Sequence, residues 1–168
     1  MLEIIEAAQV KVFLHCWGVD AIMDDAHWLG IEWVKVTYAS DYFDELYDWA
    51  KRLVQMGKAY VCTCKPDLWR DLKNHKNPCP HREQSLNDQL QRWDRMFDGS
   101  YKPEEASLVI KTNLNHPNPA VRDFVGLRID DTPHPRTGTK YRVYPLMNLS
   151  VAIDDHLMDL THVLRGKD

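Results

Sequence analysis

The residues with the plainest chemical potential lie between positions 62 and 81, CTCKPDLWRDLKNHKNPCPH. Three of the chain's four cysteines fall here, and His81 closes the run. The spacing is Cys62-x-Cys64-x14-Cys79-x-His81. Three sulfurs and one imidazole nitrogen make a donor set that zinc accepts in a tetrahedron. In each i,i+2 pair the side chains leave an extended backbone on the same face. Two such pairs facing one another could enclose one ion if both backbones curl inward. Pro66, Pro78 and Pro80 suit the bent, irregular path this needs. The C-x-C pair is tighter than the common zinc spacing of about two to four intervening residues. Other uses of the segment stay open: Cys62 and Cys64 as small core residues with His81 on a loop, a disulfide, or a catalytic thiol. The last would need a surrounding His or Asp pattern, and none is present. A closed four-ligand site leaves no position for water, so its role would be structural, pinning a loop with little core of its own.

The same segment is locally basic. Lys65, Arg70, Lys73, Lys76 and Arg82 stand against Asp67 and Asp71, with Trp69 among them. This is a local basic surface or a solvated loop face. The formal net charge of −4 excludes wholesale coating of nucleic acid but not a local contact.

These residues must be held by the elements around them. DAIMDDAHWL (20–29) carries Ile22, Met23, Ala26 and Leu29 at helical spacing, and Gly30 stops it. IEWVKVTY (31–38) alternates as a strand does. Ser40 is positioned to cap a helix over DYFDELYDWAKRLVQM, with Phe43, Leu46, Tyr47, Ala50, Leu53 and Val54 on one face and Gly57 at its end. AYVCTC (59–64) reads as a strand leading into the cysteines. Ser85 and Asp88 open a helix whose stripe is Leu86, Leu90, Trp93 and Phe97, closed by Gly99. SLVIKT, FVGLRID and KYRVYP read as strands, NLSVAIDDHLM as a short helix, and THVLRG as a closing strand. Strands interrupted by helices imply a mixed α/β or α+β fold.

Composition sets the outer limits. The chain has 168 residues, 44% hydrophobic and 27% charged, with six Trp and seven Tyr. That is enough for one domain or two small ones with a buried core. No apolar run approaches the roughly 20 residues that span a bilayer, and MLEIIEAAQVKVFLH lacks the pattern of a signal peptide. The chain therefore reads as cytoplasmic, where thiols stay reduced and metal binding is favoured over a disulfide.

Three segments together carry a family resemblance: SDYFDELYDWAKRLVQMGKAYVCTC, NPAVRDFVGLRI, and HPRTGTKYRVYPLMNLSVAIDDHLMDLTHVLRGKD. In that order they resemble the catalytic region of class I glutamyl-tRNA synthetases of the archaeal and eukaryotic branch, to which the glutaminyl enzymes are related. The resemblance covers roughly residues 19–168. It implies a Rossmann fold interrupted by an α/β acceptor-stem-binding insertion. On that reading 1–18 is an unplaced leader, and 19–58 is a Rossmann flank and the start of the insertion. Residues 59–143 are then the zinc-containing insertion, and 144–168 the return to the Rossmann fold. The resemblance also implies a structural zinc on Cys62, Cys64, Cys79 and His81, and tRNA acceptor-stem contacts from Lys65, Trp69, Arg70, Lys73, Lys76 and Arg82.

The choice between glutamate and glutamine turns on the segment at 147. Glutaminyl members carry Tyr-Asp-Phe where this chain has Met147-Asn148-Leu149, and a neutral residue where it has Arg165. In bacterial-type glutamyl enzymes the matching Arg pairs with the substrate's γ-carboxylate, and a guanidinium fork fits a carboxylate bidentately. Met147 and Arg165 are therefore the expected glutamate-binding residues, although Met147 departs from the Tyr of the other groups. Asp154 and Asp155 are read as helix-end structure.

Family members activate the amino acid with ATP and magnesium through HIGH-type and KMSKS-type motifs, which stabilise charge on the phosphates. FLHCWG (13–18) lacks the His-x-Gly-His pattern, and no KMSKS-type motif occurs in the 168 residues. No complete catalytic set is expected in this chain, and alone it is expected to be inactive. The alternatives are a stand-alone RNA-binding module, a fragment of a glutaminyl enzyme, and a zinc-stapled domain with no RNA role.

Overall fold

The computed structural model describes residues 10–14 and 19–162. Two compact units divide the chain. One is formed by residues 1–42 with 154–168, the other by 43–153.

In the first unit, β1 (Val10–Leu14) and β2 (Trp33–Tyr38) pair in parallel, joined by α1 (Val19–Trp28). Parallel neighbours require such a crossover, because a tight turn can only join antiparallel strands. β1 lies within the stretch that the sequence left unplaced. Gly30, at φ +73°, takes the left-handed turn after α1. After β2 the chain enters a 3-10 turn, Ala39–Asp41, whose Asp41 carboxylate accepts from the Tyr38 N–H at 3.0 Å. This corrects the expected cap. Ser40 is buried inside that turn, and α2 begins only at Phe43.

In the second unit, α2 (Phe43–Gln55) buries Phe43, Leu46, Ala50 and Val54, the face that its spacing predicts. A four-stranded antiparallel sheet follows in the order β3 (Ala59–Cys62), β4 (Ser107–Ile110), β5 (Phe124–Ile129), β6 (Val143–Pro145). Between β3 and β4 the chain inserts α3 (Pro66–Asn74) and α4 (Leu86–Phe97). The irregular path expected at Pro66 is in fact a helix. Pro66 occupies its first turn, where a missing N–H costs nothing and the fixed φ favours helix. α4 starts as expected, with the Ser85 hydroxyl accepting from the Asp88 N–H at 3.2 Å.

The buried stripe of α4 is Gln89, Trp93 and Met96, whereas Leu86 and Phe97 are exposed. The helix is rotated from the stripe that its apolar residues predict, because Gln89 finds polar partners inside. α5 (Met147–Leu157) follows β6. The expected closing strand lies largely outside the described residues; Thr161 and His162, its first two positions, are not strand. Among the described residues no helix is long and apolar enough to cross a membrane.

Candidate metal centre

β3 ends at Cys62, two residues short of the predicted strand, because the chain must bend to turn Cys64 inward. The Cys64 N–H then points at the Cys62 Sγ, 3.4 Å away. The second pair repeats the device, with the His81 N–H 3.5 Å from the Cys79 Sγ. Two equivalent bends thus present four donor atoms to a common point, all within 4.8 Å of one another. The sulfur–sulfur separations are 3.4 Å for Cys62–Cys79 and 3.6 Å for Cys64–Cys79. His81 Nδ1 lies 3.8, 3.5 and 3.4 Å from the sulfurs of Cys62, Cys64 and Cys79.

These lengths can be tested against a bound ion. Zinc with thiolates at about 2.3 Å and imidazole at about 2.1 Å gives tetrahedral edges of roughly 3.8 Å (S–S) and roughly 3.6 Å (S–N). The five edges given agree to a few tenths of an ångström, the sixth, Cys62–Cys64, lies within 4.8 Å, and the thiols are unbridged. The cluster can therefore hold a metal ion.

Its surroundings favour that use. His81 Nε2 lies 3.0 Å from the Thr63 hydroxyl, which orients the ring so that Nδ1 faces the sulfurs. The Cys79 thiol is pushed down to about 5, chiefly by the hydrogen bond from the Cys62 thiol and then by N–H and imidazole contacts from His81. Cys62 is pushed well above the usual thiol range, first by its hydrogen bond to Cys79 and then by burial. Burial, followed by the hydrogen bond with Cys79, also raises Cys64, while the nearby Arg92 guanidinium opposes that rise. Arg92 Nη1 is buried with no hydrogen-bond partner among the described residues. Three thiolates and one neutral imidazole around a divalent ion carry a net −1, so a cation placed there compensates charge.

Two buried charged side chains brace the loop. Asp123, 2% exposed, accepts from Arg82 Nε at 2.8 Å and from the Thr112 N–H at 2.8 Å. Arg122, also buried, donates to the carbonyls of Lys73, Asn74, His116 and Pro117. It thereby covers the last carbonyls of α3, which have no partner within the helix. Sequence reading missed Arg122, Asp123, Thr63 and Arg92. An Arg-Asp pair at a loop–strand junction carries no periodic signal. Gln89 left a trace that was legible: a polar residue on the apolar side of α4.

The candidate RNA-contact residues separate by environment. Lys65, Arg70 and Lys76 are exposed on or beside α3. Among the described residues Arg70 pairs with the exposed Asp67, at 3.2 Å. Lys73 is half-buried, its Nζ 5.4 Å from the Trp69 ring centre, and burial together with Arg122 lowers its pKa. Trp69 is half-buried against Tyr60, Cys62, Cys79 and Val109, and its Nε1–H donates to the Tyr60 hydroxyl at 3.3 Å. Arg82 is turned inward onto Asp123 and the Thr112 carbonyl. Met147 opens α5 and is 57% exposed. Arg165 lies outside the described residues.

Residues 17–168 match the family model described as tRNA synthetases class I (E and Q), catalytic domain. The chain belongs to that family of class I synthetases. It is 53% identical over 150 residues to the glutamate–tRNA ligase of Pyrococcus abyssi, covering 89% of this chain and 26% of that protein. The Methanothermobacter thermautotrophicus glutamate–tRNA ligase is 51% identical over 149 residues, covering 89% of this chain and 27% of its own length. The Thermococcus kodakarensis glutamate–tRNA ligase is 52% identical over 148 residues, covering 88% and 26%. The chain thus spans about a quarter of the length of these relatives.

Proposed function

We propose that the chain is the acceptor-stem-binding part of a glutamate–tRNA ligase, with adjoining Rossmann-fold segments and one wall of the glutamate pocket. The observation that carries this reading is the 53% identity to a glutamate–tRNA ligase across 89% of the chain. The parallel β1–β2 pair with its helical crossover supports the Rossmann assignment of the first unit. The separate antiparallel sheet of 43–153, which carries the cysteine cluster, supports the insertion.

The whole enzyme would activate glutamate with ATP and magnesium in the cytoplasm and transfer it to the 3′ end of its tRNA. Within it Cys62, Cys64, Cys79 and His81 would hold zinc, a structural ion because all four positions are taken by protein. The metal would fix the base of α3. Lys65, Arg70 and Lys76 would then neutralise backbone phosphates near the acceptor end, with Lys73 and the edge of Trp69 behind them. Met147 and Arg165 would face the glutamate side chain. A glutaminyl assignment is less favoured, since the relatives named above are glutamate–tRNA ligases.

The test is binding of the 168-residue chain to a tRNA acceptor-stem hairpin over a salt series. The expected result is a Kd that weakens steeply with salt; no binding at low salt would overturn the RNA role. ATP–pyrophosphate exchange with glutamate is expected to stay at background for this chain alone, because neither ATP-binding motif occurs in it. Exchange above background would overturn that division of labour.

A further inference from the structure

The four candidate ligands come from two separate stretches of chain. Cys62 and Cys64 leave the end of β3, and Cys79 and His81 lie in the turn before α4. One side chain reaches both. Gln89, 4% exposed on α4, accepts from the Val61 N–H through Oε1 at 2.7 Å and donates from Nε2 to the His81 carbonyl at 2.6 Å.

The placement is specific. β3 is an edge strand of the sheet, paired on one side with β4. The Val61 N–H receives on its open side the acceptor that a further strand would otherwise supply. The bonded residue immediately precedes Cys62, and the other bond falls on a ligand residue itself. One buried amide therefore ties the two ligand pairs together, beside the Thr63–His81 contact at 3.0 Å. The amide accepts at one end and donates at the other; an ionised carboxylate of the same length would set an acceptor against the His81 carbonyl.

We infer that Gln89 is the positioning residue of the metal centre, holding the two ligand pairs at coordination distance before an ion arrives. The inference rests on the metal reading of the cluster. Ligands ordered in advance lose less freedom on binding, so the ion binds more tightly. Outer partners of metal ligands typically govern about 10- to 100-fold in affinity.

The experiment measures zinc affinity by chelator competition, and the thiolate-to-cobalt absorption of the cobalt-loaded chain, for wild type, Gln89→Glu and Gln89→Met. Leu46→Ala, a cavity in the α2 core, controls for lost stability. The expected result is zinc binding weakened about 10- to 100-fold in both Gln89 variants, an altered cobalt spectrum, and Leu46→Ala within about threefold of wild type. Amide exchange on the wild-type chain stripped of metal needs no variant to fold: Val61 is expected to stay protected. Gln89 variants that bind as wild type, or weaken no more than Leu46→Ala, would overturn the inference, as would rapid Val61 exchange on metal removal. A wild-type chain that binds neither zinc nor cobalt would remove the metal reading itself, a failure visible without any variant.

Discussion

The Nε of Arg82 meets the buried Oδ2 of Asp123 at 2.8 Å, and this contact turns one of the segment's five cations away from solvent. Arg82 also donates to the Thr112 carbonyl at 3.1 Å. Its guanidinium thus ties the turn after His81 to the chain between β4 and β5. Arg70, twelve residues earlier in the same basic run, makes among the described residues an exposed i,i+3 pair with Asp67. Two arginines of one cluster, indistinguishable by composition, lie in opposite environments.

Substitution separates them. Arg82→Gln leaves Asp123 as an unpaired buried carboxylate, and breaking such a pair costs about 3–5 kcal/mol. Urea unfolding should show a loss of that order, with the salt slope of hairpin binding unchanged. Arg70→Gln should do the reverse: a stability change within about 0.5 kcal/mol and a slope of log K against log[salt] reduced by about one. An unchanged slope would remove Arg70 from the contact surface.

Metal uptake should release protons. At neutral pH Cys79 is already thiolate, since its thiol is held at about 5, while Cys62 and Cys64 are raised and protonated. Binding must therefore displace about two protons, from Cys62 and Cys64, and not three. Zinc affinity should rise about 100-fold per pH unit between about pH 7 and 8, tenfold for each displaced proton. Calorimetry in buffers of different ionisation enthalpy counts the protons directly. A count near three would mean that the cluster holds no preformed thiolate.

Lys76 ends α3 as Gly57 ends α2. Both take left-handed backbone, φ 61° and 68°. In each motif the following N–H reaches back to a carbonyl five residues earlier, Asn77 to Leu72 and Lys58 to Leu53, both at 2.8 Å. A side chain at that position costs about 1 kcal/mol relative to glycine. Lys76→Gly should raise stability by up to about 1 kcal/mol in thermal unfolding. If Lys76 also touches phosphate, the same variant should bind the hairpin with a shallower salt slope. The two readouts are independent, because stability reports the backbone and the slope reports the charge.

Much of this arrangement is legible in the sequence, for reasons that particular residues make clear. The ligand quartet shows because metal chemistry demands fixed residue types at short spacing, and Cys62, Cys64, Cys79 and His81 do converge. The buried face of α2 shows because Phe43, Leu46, Ala50 and Val54 repeat at helical period. α3 is hidden because its sequence, PDLWRDLKN, buries no residue fully and begins with proline, which reads as a break. The bracing by Arg122 and Asp123 is hidden because each acts through partners distant in sequence. Arg122 reaches Lys73, for example, 49 residues away. Such bonds depend on the fold being complete and leave no local pattern.

Gly126 supplies a last expectation, linking β5 to the start of α5. A Cβ at this position would lie 3.1 Å from Ile110 Cγ1 and 3.2 Å from Leu149 Cδ2, closer than ordinary carbon contacts. The Gly126 carbonyl also accepts from the Leu146 N–H at 2.8 Å, immediately before Met147 opens α5. Glycine is thus required by close approach and not by backbone angle, and it lets Leu149 seat against the sheet. Gly126→Val overpacks this contact and should cost about 1–3 kcal/mol in urea unfolding, with Gly126→Ala costing less because it adds one methyl rather than three carbons. The displaced first turn of α5 would carry Met147 with it. In a full-length glutamate–tRNA ligase bearing the substitution, the KM for glutamate should therefore rise more than the KM for ATP. Equal stability of Gly126→Val and wild type would show that Ile110 and Leu149 can yield, and would detach the position of Met147 from this strand.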